Sequence, residues 1–206
     1  MGIPVLILGE SGSGKSASLR NFNPEDVSIF NVAAKPLPFR RKLPMKSTSD
    51  YGQIMSGIAG SSKKAFVIDD SQYLMCFESF RKAKDTGFGK FTDIALNFYN
   101  LVQFVITQTA PDVVVYFLQH VETDSNTGKT KAKTMGKMLD NQLTLEGLFS
   151  IVLMCVTDGK KHSFITQSDG FTTAKSPMEM FPEVIDNDLK FVDETIREYY
   201  ELTKKE

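Results

Sequence analysis

A chain of 206 residues, 41% hydrophobic and 24% charged, is long enough for one domain with a sizeable core and too apolar to be disordered. Its net charge of −1 argues by itself for no class of partner. The longest apolar runs, six residues at 113–118 and six at 151–156, are far too short for a membrane-spanning helix.

Residues 3–8 form an apolar run that stops at Gly9, which predicts a buried parallel strand. A short helix is expected over 15–21, closed before Asn23-Pro24 because the residue preceding proline resists helical geometry. Residues 27–33 and 65–69 read as the second and third strands, with a helix capped by Asp50 between them at 50–59. A helix over 72–84 follows. Phe91, Ile94, Ala95, Phe98, Leu101, Val102 and Val105 keep a 3.6-residue period, the signature of a long amphipathic helix. After Pro111, residues 113–119 and 150–157 are the fourth and fifth strands. The Asp158-Gly159 turn returns the chain over 162–167 as an antiparallel strand, and Val192, Ile196, Tyr199 and Tyr200 mark an amphipathic C-terminal helix. Strands alternating with helices predict a single α/β domain with a mainly parallel sheet.

Charge is unevenly spread. Residues 177–206 carry nine acids and four bases. Two stretches are basic without an acid: 35–49, with Lys35, Arg40, Arg41, Lys42 and Lys46, and the span between Asp124 and Asp140, with Lys129, Lys131, Lys133 and Lys137. Both read as loops, either solvated or tracking nucleic-acid phosphates. Cys76 and Cys155 lie in apolar stretches and are expected to be buried reduced thiols, and His120 and His162 lack ligand-spaced partners for zinc. The opening residues have no secretion signal, and Leu6 stands where a myristoylation signal requires Ser or Thr, so a cytoplasmic location is expected.

Residues 9–16 read Gly9-Glu10-Ser11-Gly12-Ser13-Gly14-Lys15-Ser16, a full match to G-x-x-x-x-G-K-[ST] between a strand and a helix. Glycines permit the tight turn and let backbone N–H groups converge on an anion. In such a P-loop Lys15, expected to stand exposed, reaches the β- and γ-phosphates of ATP, and the Ser16 hydroxyl joins the shell of Mg²⁺. The run Phe66-Val67-Ile68-Asp69-Asp70 ends a buried strand with two acids. Asp69 then holds Mg²⁺, and Asp70 either orients the attacking water or caps the next helix. The fourth strand ends in Gln119-His120, and either side chain could sense the γ-phosphate.

With these residues placed, the chain resembles small phage-encoded ATP-binding proteins, RecA-like ATPases reduced to the core, some of them single-strand annealing proteins of recombination. The resemblance also rests on Ser71-Gln72-Tyr73-Leu74-Met75, Lys90-Phe91-Thr92-Asp93-Ile94, Gly136-Lys137-Met138-Leu139-Asp140 and Thr173-Ala174-Lys175-Ser176-Pro177-Met178. It implies a P-loop NTPase fold with five parallel strands ordered fifth, first, fourth, third, second. It further implies ATP and Mg²⁺ as ligands, single-stranded DNA as partner, a homo-oligomer, and the cytoplasm of a bacterial host. Lys137 becomes the expected cationic finger acting across a subunit interface. The sequence departs from the RecA class after the second strand, where Ala33-Ala34-Lys35-Pro36 replaces a catalytic glutamate. The leading expectation is therefore a DNA-stimulated ATPase using Asp70. An ATP-switched DNA-binding protein with little turnover and a loader working through its acidic tail are the alternatives.

Overall fold

The computed structural model describes residues 1–135, 139 and 143–202. The elements are β1 (Ile3–Leu8), β2 (Val27–Asn31), β3 (Met45–Ser47), α1 (Tyr51–Ala59), β4 (Ala65–Asp69), α2 (Gln72–Arg81), α3 (Gly89–Gln108), β5 (Val114–Gln119), β6 (Val121–Thr123), β7 (Thr130–Ala132), β8 (Ile151–Thr157), β9 (His162–Ile165), β10 (Val184–Asp186) and α4 (Leu189–Tyr199).

Eight strands form one sheet in the order β10-β9-β8-β1-β5-β4-β2-β3, parallel from β8 to β3 and antiparallel where β9 and β10 extend it. The five strands expected to be parallel stand in the expected order. Successive residues of a strand face opposite sides. Leu6 and Leu8 of β1 pack with Ile54, Leu74 and Phe98 from α1, α2 and α3, whereas Val5 and Ile7 pack with Leu19, Leu189 and Ile196 on the other face. Both faces are covered, which is why β4 and β5 are buried from end to end. No helix among the described residues is long and apolar enough to cross a membrane.

Local signals largely place the helices. Asp50 accepts from Gln53 N–H at 2.8 Å and starts α1. On α3, Ile94, Ala95, Phe98, Leu101, Val102 and Val105 are buried. Four expectations need correction. The turn after the glycine-rich loop is a 3₁₀ segment, Ser16–Asn21, rather than an α-helix: Phe22 is already extended two residues before Pro24, which ends the coil early. The second strand stops at Asn31, because Ala34 turns the chain at φ +55°. Within 35–49, Met45–Ser47 adds an edge strand to β2. The lysine-rich span begins as a hairpin of β6 and β7, closed by a turn in which the Asp124 carboxylate accepts from Asn126 and Thr127 N–H. Both thiols are free, Cys155 buried and Cys76 half-buried.

One buried polar cluster fastens α4. Asp193 accepts from the fully buried Tyr116 hydroxyl at 2.8 Å and from Arg197 Nε at 2.7 Å. The same guanidinium donates to the carbonyls of Asp112 and Lys64. Removing the carboxylate strands the Tyr116 hydroxyl and leaves the guanidinium with two carbonyl acceptors but no counter-charge, so Asp193→Ala is expected to destabilise by about 3–5 kcal/mol. Tyr116→Phe leaves the ion pair and should cost about 1 kcal/mol. Urea unfolding measures both; small and equal losses would mean that α4 docks through its apolar face alone.

Candidate functional site

The carboxyl ends of parallel strands β1, β2, β4 and β5 lie at one edge of the sheet, where α/β proteins bind ligands. There a cavity of about 440 Å³ is bounded by Ser11, Gly12, Gly14, Lys15 and Ser16 of the loop after β1, by Asp69, Asp70 and His120 from the tips of β4 and β5, and by Lys35 from the segment after β2.

The loop is packed from behind. Gly14 takes φ +105°, and a Cβ there would meet the His162 ring at 2.8 Å. A Cβ on Gly9 would run into the Ser13 hydroxyl and sit 2.7 Å from the Cys155 carbonyl. The Ser13 carbonyl accepts from Cys155 Sγ at 3.1 Å and from His162 Nδ1 at 2.7 Å. Asn187 Nδ2 donates to the Gly14 carbonyl. Three side chains from β8, β9 and the segment before α4 thus fix the loop, and no local sequence signal announces them. The Ser13 hydroxyl is buried behind the loop without a hydrogen-bond partner.

Lys15 is buried, not exposed as expected, with 6% of its surface accessible. Its amine donates to the Gly9 carbonyl at 2.7 Å and to the Glu10 carbonyl at 2.8 Å. Burial lowers its pKa, although Cys155, Asp70 and Asp69 pull the other way. The Ser16 hydroxyl donates to Asp69 Oδ1 at 2.8 Å. Burial raises the Asp69 carboxyl, against the Ser16 hydrogen bond and with help from neighbouring Asp70. A divalent cation would relieve that unfavourable charge. A hydroxyl and a carboxylate side by side are the hard oxygen donors Mg²⁺ takes, with water and phosphate completing its shell. Among the described residues no group of three His, Cys, Asp or Glu side chains is placed to hold a metal ion by itself.

Asp70 is a left-handed residue, φ +58°. Its carboxylate does not cap α2. Lys35 Nζ lies 2.8 Å from Oδ2, and His120 Nε2 lies 3.3 Å from Oδ1. Burial alone would raise its pKa, but these two neighbours hold it below the ordinary carboxylate range. Tyr73 backs the pair, edge-on to His120 and under the Lys35 amine.

Of the two residues expected to sense phosphate, only His120 lines the cavity. Gln119 is fully buried and committed elsewhere. It donates to the Lys133 carbonyl at 2.8 Å and accepts from the Ser71 hydroxyl, fastening the exit of the β6–β7 hairpin to the tip of β5. Glu10 and Ser13 bound neighbouring space rather than this cavity. Lys137 lies outside the described residues. Lys35 was legible in the sequence only as a base standing where a glutamate was expected.

The chain matches no family model and no curated protein.

Proposed function

We propose that the chain is a Mg²⁺-dependent P-loop ATPase of the RecA-like kind. The observation that carries this is the joining of Ser16 to Asp69 at 2.8 Å beside the Lys15 amine, at the carboxyl edge of a parallel sheet. Phosphate oxygens would replace the Gly9 and Glu10 carbonyls as partners of Lys15, trading neutral hydrogen bonds for charge-assisted ones. Backbone N–H groups of the 9–16 loop orient the phosphates. Ser16 and Asp69 would hold Mg²⁺, which supplies positive charge against the phosphates when bound. Asp70 orients the water that attacks the γ-phosphorus as the bond to the leaving diphosphate breaks, and His120 fixes that carboxylate. Single-stranded DNA as the stimulating partner, a homo-oligomeric working form and a role in phage recombination or replication follow from the resemblance in the sequence. The lysines after the hairpin turn, Lys129, Lys131 and Lys133, favour the DNA reading, although the hairpin's own charges balance and Lys131 pairs with Glu122; Gln119 at the tip of β5 holds the Lys133 carbonyl.

A second reading, an ATP-switched DNA-binding or loader protein with little turnover, is favoured by one observation: Asp70 is already paired with Lys35 and His120. ATP binding, ATP hydrolysis and sedimentation, each with and without single-stranded DNA, separate the two. The ATPase reading expects Mg²⁺-dependent binding, turnover that rises with DNA, and faster sedimentation. Tight binding with no turnover selects the switch, and absence of Mg²⁺-dependent binding defeats both.

A further inference from the structure

Lys35 reaches the cavity on a backbone shaped to deliver it. Ala34 before it sits at φ +55°, a region that alanine avoids. Asn31, buried at the end of β2, grips both main-chain groups of Lys35: its Oδ1 accepts from Lys35 N–H at 3.2 Å, and its Nδ2 donates to the Lys35 carbonyl at 2.5 Å. The partner carboxylate belongs to a second left-handed residue, Asp70. Strained backbone of this kind persists only where surrounding contacts impose it, and it clusters at functional sites. The Lys35 side chain remains 59% accessible at the mouth of the cavity, so these contacts fix its direction without burying it.

Charge gives the amine a purpose. Among the described residues bounding the cavity, Lys15 and Lys35 are the only lysine or arginine side chains, beside Asp69 and Asp70. The two amines are close enough to act on each other electrostatically. An anion entering between them is attracted by both, and the longer its phosphate chain, the more it competes with Asp70 for Lys35.

We propose that Lys35 reads the terminal phosphate of a nucleoside triphosphate: it leaves Asp70 to pair with that phosphate when ATP binds, stays on Asp70 when ADP binds, and thereby sets the preference for triphosphate over diphosphate. This rests on the nucleotide-binding reading above. Its departure also leaves Asp70 with His120 alone and an oxygen open to water, so one movement couples recognition of the triphosphate to readiness for hydrolysis.

Equilibrium binding of Mg·ATP and Mg·ADP to wild type, Lys35→Ala, Lys35→Arg, Asp70→Asn and the double variant Lys35→Ala/Asp70→Asn tests it, with circular dichroism and thermal midpoints confirming folding. Lys35→Ala should weaken ATP by about ten- to hundred-fold, the worth of one charge-assisted bond, and leave ADP within about two-fold. Lys35→Arg should keep most of the preference. Asp70→Asn releases Lys35 and should tighten ATP in the wild-type background, but by a smaller factor once Lys35 is alanine. Equal losses for ATP and ADP, or an Asp70→Asn effect independent of Lys35, would overturn the assignment while leaving the nucleotide site intact. If wild type binds neither nucleotide, the site reading fails and Lys35 falls with it.

Discussion

Lys15→Ala is expected to weaken Mg·ATP binding by at least about a hundred-fold, because it removes charge-assisted contacts worth roughly 1.5–3 kcal/mol each. The fold should survive. Two loop carbonyls, Gly9 and Glu10, lose the Lys15 amine, but a desolvated cation is removed at the same time. These changes oppose each other, so the net change should stay within about 1–2 kcal/mol. The sign of the pH dependence follows from the lowered Lys15 pKa. The unfolded lysine binds its proton more tightly than the folded one, so wild-type stability gains on the variant as pH rises from the folded pKa toward the ordinary lysine value. Titration of binding by calorimetry, paired with urea unfolding at neutral and alkaline pH, checks both halves. Wild-type affinity in a folded Lys15→Ala protein would remove the phosphate-binding role.

Asp69→Asn and Asp70→Asn should separate binding from turnover. The Asp69 variant keeps an oxygen that can accept from Ser16, so the local fold persists, but it loses the anionic ligand to Mg²⁺. Added Mg²⁺ should then no longer strengthen ATP binding. The Asp70 variant should bind ATP at least as well as wild type and lose turnover by about 10²–10⁴-fold, the range of positioned acid–base groups. Asp70 carries a lowered pKa while Lys35 and His120 face it, which makes it a poor base until Lys35 moves away. Steady-state phosphate release and Mg²⁺-dependent binding measured on both variants provide the test. Wild-type hydrolysis by Asp70→Asn would assign the pair with Lys35 and His120 to loop structure alone.

Short-range pattern carries most of this fold. Apolar runs mark β1, β4, β5 and β8, the 3.6-residue period marks α3, and Asp50 announces α1, because hydrophobic periodicity and capping act over a few residues. The 9–16 segment and the acids at the end of β4 are likewise readable, since glycine spacing and a strand-terminal carboxylate are local chemistry. The pairing of β6 with β7 is also local, but strands of three residues are too short to carry an alternating pattern. What each polar side chain touches is a different matter. Lys35 meets Asp70 across 35 residues, Gln119 turns to the Lys133 carbonyl, and His162 closes on the loop from 149 residues away. Lys15 is buried because Gly9 and Glu10 turn their carbonyls toward its amine within a loop packed against β8 and β9. Such pairings are set by which strands become neighbours and by the cost of leaving a buried polar group unpaired, and both exist only once the sheet has assembled.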